Sequence, residues 1–265
     1  MSSFDIYSER QTFGSVFSAE LKGLFSRKGF VISVCVLALV AVCLELVGIA
    51  CAKFVASVQG GSSASTVTSY AGDAAGTFLY LMSFYCLIFA CKSYATGEMR
   101  TKLLLVPNRA RLYLAQAFCW ALIAAVVSLI CGIVAAPVTL AFGATGGLDV
   151  AALGMALVLR FVCGFLTVVA AYGFAAVLRS TAGSIILFFC AMTAAGMALA
   201  SGTLAGGFIA DLCNTLNQAM LGSGIDAANA ITTDVAAGSI GLVVVIAWAV
   251  VFTLLGMLRF KHYNK

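Results

Sequence analysis

Two ionisable side chains, Glu45 and Arg160, interrupt otherwise apolar runs, and a third set of charges is crowded into Glu98-Met99-Arg100-Thr101-Lys102. A charge inside a long apolar segment is costly, so it pairs, lines a watery path or snorkels to the boundary. At 1.5 Å per helical residue, Glu45 lies about 25 Å beyond Lys28, and Arg160 lies about 28 Å from Arg179. Both therefore sit near the outer boundary of a ~30 Å hydrocarbon core. There they either pair with each other or snorkel outward separately, with a substrate contact as the functional alternative.

Hydrolytic and nucleotide chemistry have no carriers here. The only histidine is His262, and there is no HExxH, no GxSxG and no carboxylate pair within reach of a shared substrate. A GxxxxGK[ST] loop, which wraps backbone N–H groups around phosphates, is missing too. Of 10 cysteines, Cys213 falls in a loop. The rest (Cys35, Cys43, Cys51, Cys86, Cys91, Cys119, Cys131, Cys163 and Cys190) lie in apolar segments, with no CxxC pair. In such positions Cys is a small apolar residue rather than a disulfide framework or a metal ligand. The expectation is a chain with no catalysis, cofactor or metal of its own.

The elements that carry these charges are legible from composition. At 63% hydrophobic and 9% charged residues, the chain departs from the roughly 25% charge of a soluble domain. Thirteen of its 15 Lys and Arg fall in four clusters: Arg10 to Lys28, Lys92 to Arg111, Arg179, and Arg259 to Lys265. Asp73, Asp149, Asp211, Asp226 and Asp234 occupy the opposite connections. Lys and Arg concentrate in cytoplasmic segments. The pattern therefore predicts an all-α integral membrane protein of the cell membrane with six spans and both termini in the cytoplasm. The +5 net charge reads as topology and anionic-lipid contact, not nucleic-acid binding.

One membrane domain over 1–265 is expected, with spans at 30–52, 74–91, 112–136, 159–178, 182–200 and 235–258. About 29 largely polar residues precede the first span, which is longer than the ~7–15 residues of a signal core, so cleavage is not expected. Within residues 5–28, Phe13, Val16, Phe17, Leu21, Leu24 and Phe25 recur at spacings of three and four. That is one apolar helical stripe, with Glu20 and Lys22 mainly on other faces, and it predicts a helix lying in the cytoplasmic interface. Residues 144–158 read as an outer interfacial or partly re-entrant stretch with Asp149 as N-cap. Pro137 is expected to bend the outer end of the third span. Residues 201–234 read as an outer helical stretch.

Between spans two and three, the segment 94–106 predicts a short helix that Val106-Pro107 terminates, because a residue before proline avoids helical geometry. Here the sequence resembles the permease subunits of ABC-2 type ABC transporters. The resemblance rests on Tyr94, Gly97, Arg100, Thr101, Leu103, Leu104, Pro107, Arg109 and Ala115, on Ala19-Glu20-Leu21-Lys22 in the entry helix, and on the Leu178–Gly183 turn. It covers nearly the whole chain. Ser93 stands where the pattern has an acid, with Glu98 available one turn later, and Gln116 replaces the usual lysine.

The resemblance implies a permease that forms a pathway with a second copy or a related permease. Separate ATPase subunits would bind ATP and Mg and drive export of an amphipathic peptide or hydrophobic drug. It implies a coupling group of Tyr94, Gly97, Glu98, Arg100, Thr101 and Lys102 beside an entry helix bearing Phe17, Glu20, Leu21 and Lys22. Phe78, Tyr80, Phe84, Tyr85, Phe89 and Trp120 are available as apolar pathway walls. Two other classes remain open: an ion-coupled secondary transporter, and a membrane scaffold or sensor subunit.

Overall fold

Long apolar runs in a membrane leave the backbone only itself to hydrogen-bond, and every described element is an α-helix. The computed structural model describes residues 12–59, 67–106, 108–141, 150–202, 221, 225 and 235–261. In chain order the helices are α1 Phe13–Ser26, α2 Lys28–Gln59, α3 Val67–Ala95, α4 Glu98–Leu105, α5 Arg109–Ala141, α6 Val150–Leu178, α7 Thr181–Gly202 and α8 Val235–Lys261. Five of them, α2, α3, α5, α6 and α8, contain segments long and apolar enough to cross a membrane. By the length and composition of its helices this is a multi-pass membrane protein. The 22 residues of α7 occupy the place of the fifth expected span.

The centre is built by α3, α5 and α6, which pack on one another; α8 lies on α6, α2 on α3 and α5, and α1 on α5. More than half of the apolar stretch of each central helix is buried, whereas α2 and α8 keep most of theirs exposed. Their outward residues include Ile32, Val36, Leu39, Val243 and Val250, a surface that lipid tails solvate without penalty.

Two contacts let α8 approach α6 and α5 closely. A Cβ added at Gly173 would lie 2.6 Å from the Phe252 carbonyl oxygen, and one at Gly256 would run into the Tyr113 hydroxyl. Small residues at crossings are how helices gain dispersion contact where no hydrophobic drive acts between them.

The junctions follow local chemistry. Thr12 caps α1, its hydroxyl accepting from the Ser15 amide at 3.4 Å. A single extended residue, Arg27, separates α1 from α2. Gly97 opens α4 at φ 75°, a left-handed conformation that favours glycine. Val106 ends α4 in an extended conformation, as the following Pro107 requires. Arg179 turns the chain between α6 and α7 at φ 54°; its guanidinium donates to the Arg259 carbonyl at 2.8 Å, tying that turn to the end of α8.

Several boundaries differ from those read in the sequence. Residues 150–158 are not a separate interfacial stretch but the first turns of α6, whose 29 residues extend about 43 Å and outrun a ~30 Å core. Asp149 lies outside the described residues. α5 runs through Pro137 to Ala141. α1 begins at Phe13, and residues 5–11 lie outside the description. Of the 201–234 stretch, Leu221 and Ile225 are described beyond the end of α7, both buried.

Gly173→Ala should cost about 1–3 kcal/mol by overpacking against the α8 backbone. Gly154→Ala, which meets nothing within 4 Å, should be neutral. Thermal unfolding midpoints in detergent check both.

Candidate functional site: a polar network at the basic end

On α1, Val16, Glu20 and Leu24 recur at i, i+4, i+8 and so share one face. Val16 and Leu24 are buried, and the Glu20 side chain between them is 15% exposed. Glu20 thus points inward with the apolar stripe rather than away from it. The packing of α1 on α5 selects this rotation.

An inward carboxylate needs partners, and two helices supply them. Lys102 Nζ on α4 donates to Glu20 Oε2 at 2.8 Å, and Gln116 Nε2 on α5 donates to Oε1 at 3.2 Å. The Gln116 side-chain oxygen accepts from the Tyr172 hydroxyl on α6 at 2.6 Å, and Tyr172 is fully buried. On the other side Lys102 lies 3.7 Å from Glu98, and Glu98 accepts from Arg27 Nη2 at 2.5 Å. A continuous polar path therefore runs from Arg27 through Glu98, Lys102, Glu20 and Gln116 to Tyr172. It joins α1, the α1–α2 junction, α4, α5 and α6.

The strengths along this path are unequal. Arg27 is 46% exposed, so its pair with Glu98 is worth ~0–1 kcal/mol. The charged hydrogen bond at Glu20 is better shielded and belongs to the ~1.5–3 kcal/mol class. Glu98 also sits in the first turn of α4, where a negative charge suits the helix dipole, and four residues before Lys102. Partial burial pushes its carboxyl upward, but the hydrogen bond from Arg27 and the charges of Lys102 and Arg27 outweigh that and hold it below the usual glutamate value.

The other residues singled out in the sequence divide. Phe17 and Leu21 are half-buried on the core side of α1, with Phe17 stacked on Phe13 at 6.1 Å, and Lys22 is exposed. Gly97 is the N-cap, Thr101 is exposed, and Arg100 has its backbone in α4. Tyr94 does not join Glu98 and Lys102. It is buried, with the Phe260 ring 6.4 Å away and the Arg179 guanidinium over its own ring at 5.9 Å. It belongs to the junction of α3 with α8.

Arg27, Gln116 and Tyr172 complete the network, although the sequence alone does not single them out. The available signal for Gln116 and Tyr172 was a polar side chain in an apolar span. The aromatic set offered as pathway walls is largely spent on packing: Trp120 meets Phe89 at 5.1 Å, Phe30 at 5.2 Å and Tyr85 at 5.8 Å, and Phe84 meets Phe188 at 5.3 Å.

At the opposite end, Arg160 and Glu45 take different partners. Arg160 Nη2 pairs with Asp73 Oδ1 at 3.1 Å, and Glu45 Oε1 accepts from the Thr77 hydroxyl at 2.8 Å. Asp73 is helical, not in a loop, because α3 begins at Val67. Asp73 and Thr77, one turn apart, thereby connect α3 to α6 and α2. The guanidinium lies against Gly76, where an added Cβ would sit 2.5 Å from it.

Among the described residues no cluster of three His, Cys, Asp or Glu is placed to hold a metal ion. No family model and no curated protein matches this chain.

The lowered Glu98 carboxyl fixes the sign of a pH response. Its contribution to holding α4 is fully present above the unfolded glutamate value near 4.5 and is lost as pH falls through the lower folded value. Amide exchange in 98–105 should therefore be flat from neutral pH to about 5 after correction for intrinsic rates, then accelerate below about 4.5. Glu98→Gln should show the fast behaviour already at neutral pH. At the other end, Arg160→Asp or Asp73→Arg alone should lower the yield of folded protein, and the double swap should restore part of it. Swapping Glu45 with Arg160, which have different hydrogen-bond partners, should restore less.

Proposed function

We propose that this chain is the membrane-spanning permease subunit of an ATP-driven exporter of the ABC-2 type. In this reading it crosses the cell membrane six times, with α7 as the fifth span and both termini in the cytoplasm. It works as a pair with a second copy or a related permease. Separate ATPase subunits bind ATP and Mg, and an amphipathic peptide or hydrophobic drug is the cargo.

The observation that carries the reading is the clamp between α1 and α4. A short charged helix next to an amphipathic entry helix is a suitable handle for a soluble partner. Here the handle is wired through Glu20 and Gln116 to Tyr172, a buried residue of the central span α6. Movement of α4 cannot leave Glu20 and Gln116 unaffected without stranding polar groups. ATP binding would then shift the chain between two facing states through contacts that differ between them. Sequence resemblance around Tyr94–Arg111 supports the assignment of the partner.

A second reading has one observation in its favour. Glu45 sits in an apolar helix, hydrogen-bonded to Thr77, as a carboxylate serving ion-coupled transport would be. Flux driven by an ion gradient and lost in Glu45→Gln would favour it.

Purified from its own cells in mild detergent, the tagged chain should bring down a stoichiometric ATPase with vanadate-sensitive hydrolysis. Glu98→Lys, which places a cation against Arg27 and Lys102, should insert normally and abolish cargo-stimulated hydrolysis. Stimulation at the unmodified level in that variant would remove α4 from the mechanism.

A further inference from the structure

Between α1 and the start of α5, roofed by α4, lies a groove of about 370 Å³ lined by Ser15, Ala19, Gly23, Leu24, Phe89 and Leu112, with Arg27, Lys102 and Glu20 as its charged groups. This volume is in the ~300–1,000 Å³ range of ligand sites. A helix ~10 Å across would fill it in less than about one 5.4 Å turn, so the groove suits a thin flexible chain. Its α1 wall is open: a Cβ added at Gly23 would meet nothing within 4 Å.

The charge around the groove narrows the occupant further. The Arg27 guanidinium lies over the Phe89 ring, 5.5 Å from its centroid. Lys28, Lys92, Arg109 and Arg111 stand at the termini of α2, α3 and α5 that meet at this end of the bundle, with Lys22 on α1, and among the described residues the acids here are Glu20 and Glu98. Along α1, Phe13 and Phe25 remain 41% and 54% exposed, Phe13 while packed on Phe17 and on Phe118 of α5, and Lys22 is exposed on another face. Exposed aromatics with basic residues are the composition of a helix lying at the headgroup boundary. An apolar slot at that height with a cationic mouth matches one molecule in both parts.

We infer that the α1–α4–α5 groove binds an anionic membrane phospholipid, one acyl chain against Ala19, Gly23, Leu24 and Leu112 and the phosphate at Arg27. A phosphate there competes with the Glu98 carboxylate for the same guanidinium, so the charge of the leaflet bears on the α1–α4 clamp. The binding site rests on the membrane-spanning character of the chain and not on an ATPase partner. Failure to recover an ATPase would leave it standing.

The test is native mass spectrometry of the chain purified in neutral detergent and incubated with equimolar phosphatidylglycerol and phosphatidylcholine of identical acyl chains. The unmodified chain should retain phosphatidylglycerol about tenfold over phosphatidylcholine, the discrimination expected of one to two cations near the phosphate. Arg27→Gln should bring that ratio close to one. Gly23→Leu or Ala19→Phe, which fill the slot, should lower retention of both lipids. As a measurement independent of mutation, phosphatidylglycerol with a diazirine at its chain end should label peptides of α1 and α5 in the unmodified chain. Equal retention of the two lipids, wild-type retention in both filling variants, or labelling confined to other helices would each overturn the site.

Discussion

The arrangement of the basic end depends on where one carboxylate points. Glu20 faces inward from α1 between two buried apolar residues, and a largely shielded charge without partners is strongly destabilising. Lys102 and Gln116 meet that requirement from two other helices. Once they do, the rotation of α1, the docking of α4 and the height of α5 are no longer independent. Gln116 has a property here that lysine lacks. An amide donates to Glu20 through its nitrogen and accepts from Tyr172 through its oxygen, whereas an ammonium has donors alone. Gln116 is thus matched to a network that continues into α6.

The two ends of the molecule are joined by the same pair of rigid helices. α3 carries Asp73 and Thr77 at one end and Tyr94 at the other, while α6 carries Arg160 and, about 18 Å further along its axis, Tyr172. These two helices pack directly on each other. Close glycine contacts then bind α6 to α8 through Gly173, and α8 to α5 and α6 through Gly256. A displacement at α4 that reaches Tyr172 therefore acts on a body that also holds the Asp73–Arg160 pair.

Much of this is readable in the residues, and the parts that are not have identifiable physical causes. Apolar run lengths located the helices because the bilayer leaves a spanning segment few alternatives. Val106-Pro107 marks the end of α4 because a residue before proline avoids helical geometry, whereas the helix expected from 94 begins at Glu98, after Gly97 takes a left-handed conformation. Periodicity puts Glu20 on the wrong face, since a charge on an amphipathic helix normally faces out and its partners lie 82 and 96 residues away. Asp73 reads as a loop residue for the same reason, its partner Arg160 lying 87 residues away. α3 is extended past the hydrocarbon, and the charge that ends the apolar run does not end the helix. Residues 150–158 joined α6 because an apolar segment continuous with a span gains hydrogen bonds by extending it. Tertiary pairing decided the placement of Glu20 and Asp73, and it is invisible to periodicity.

The most direct test of the account is a double-mutant cycle between Glu20 and Lys102, using Glu20→Gln and Lys102→Met and reading thermal unfolding of the detergent-solubilised chain. If the inward carboxylate organises the basic end, each single change is destabilising and the double change costs less than their sum, with a coupling of about 1 kcal/mol or more. Additive effects within about 0.3–0.5 kcal/mol would mean that the two residues do not sense each other, and the network would lose its central link.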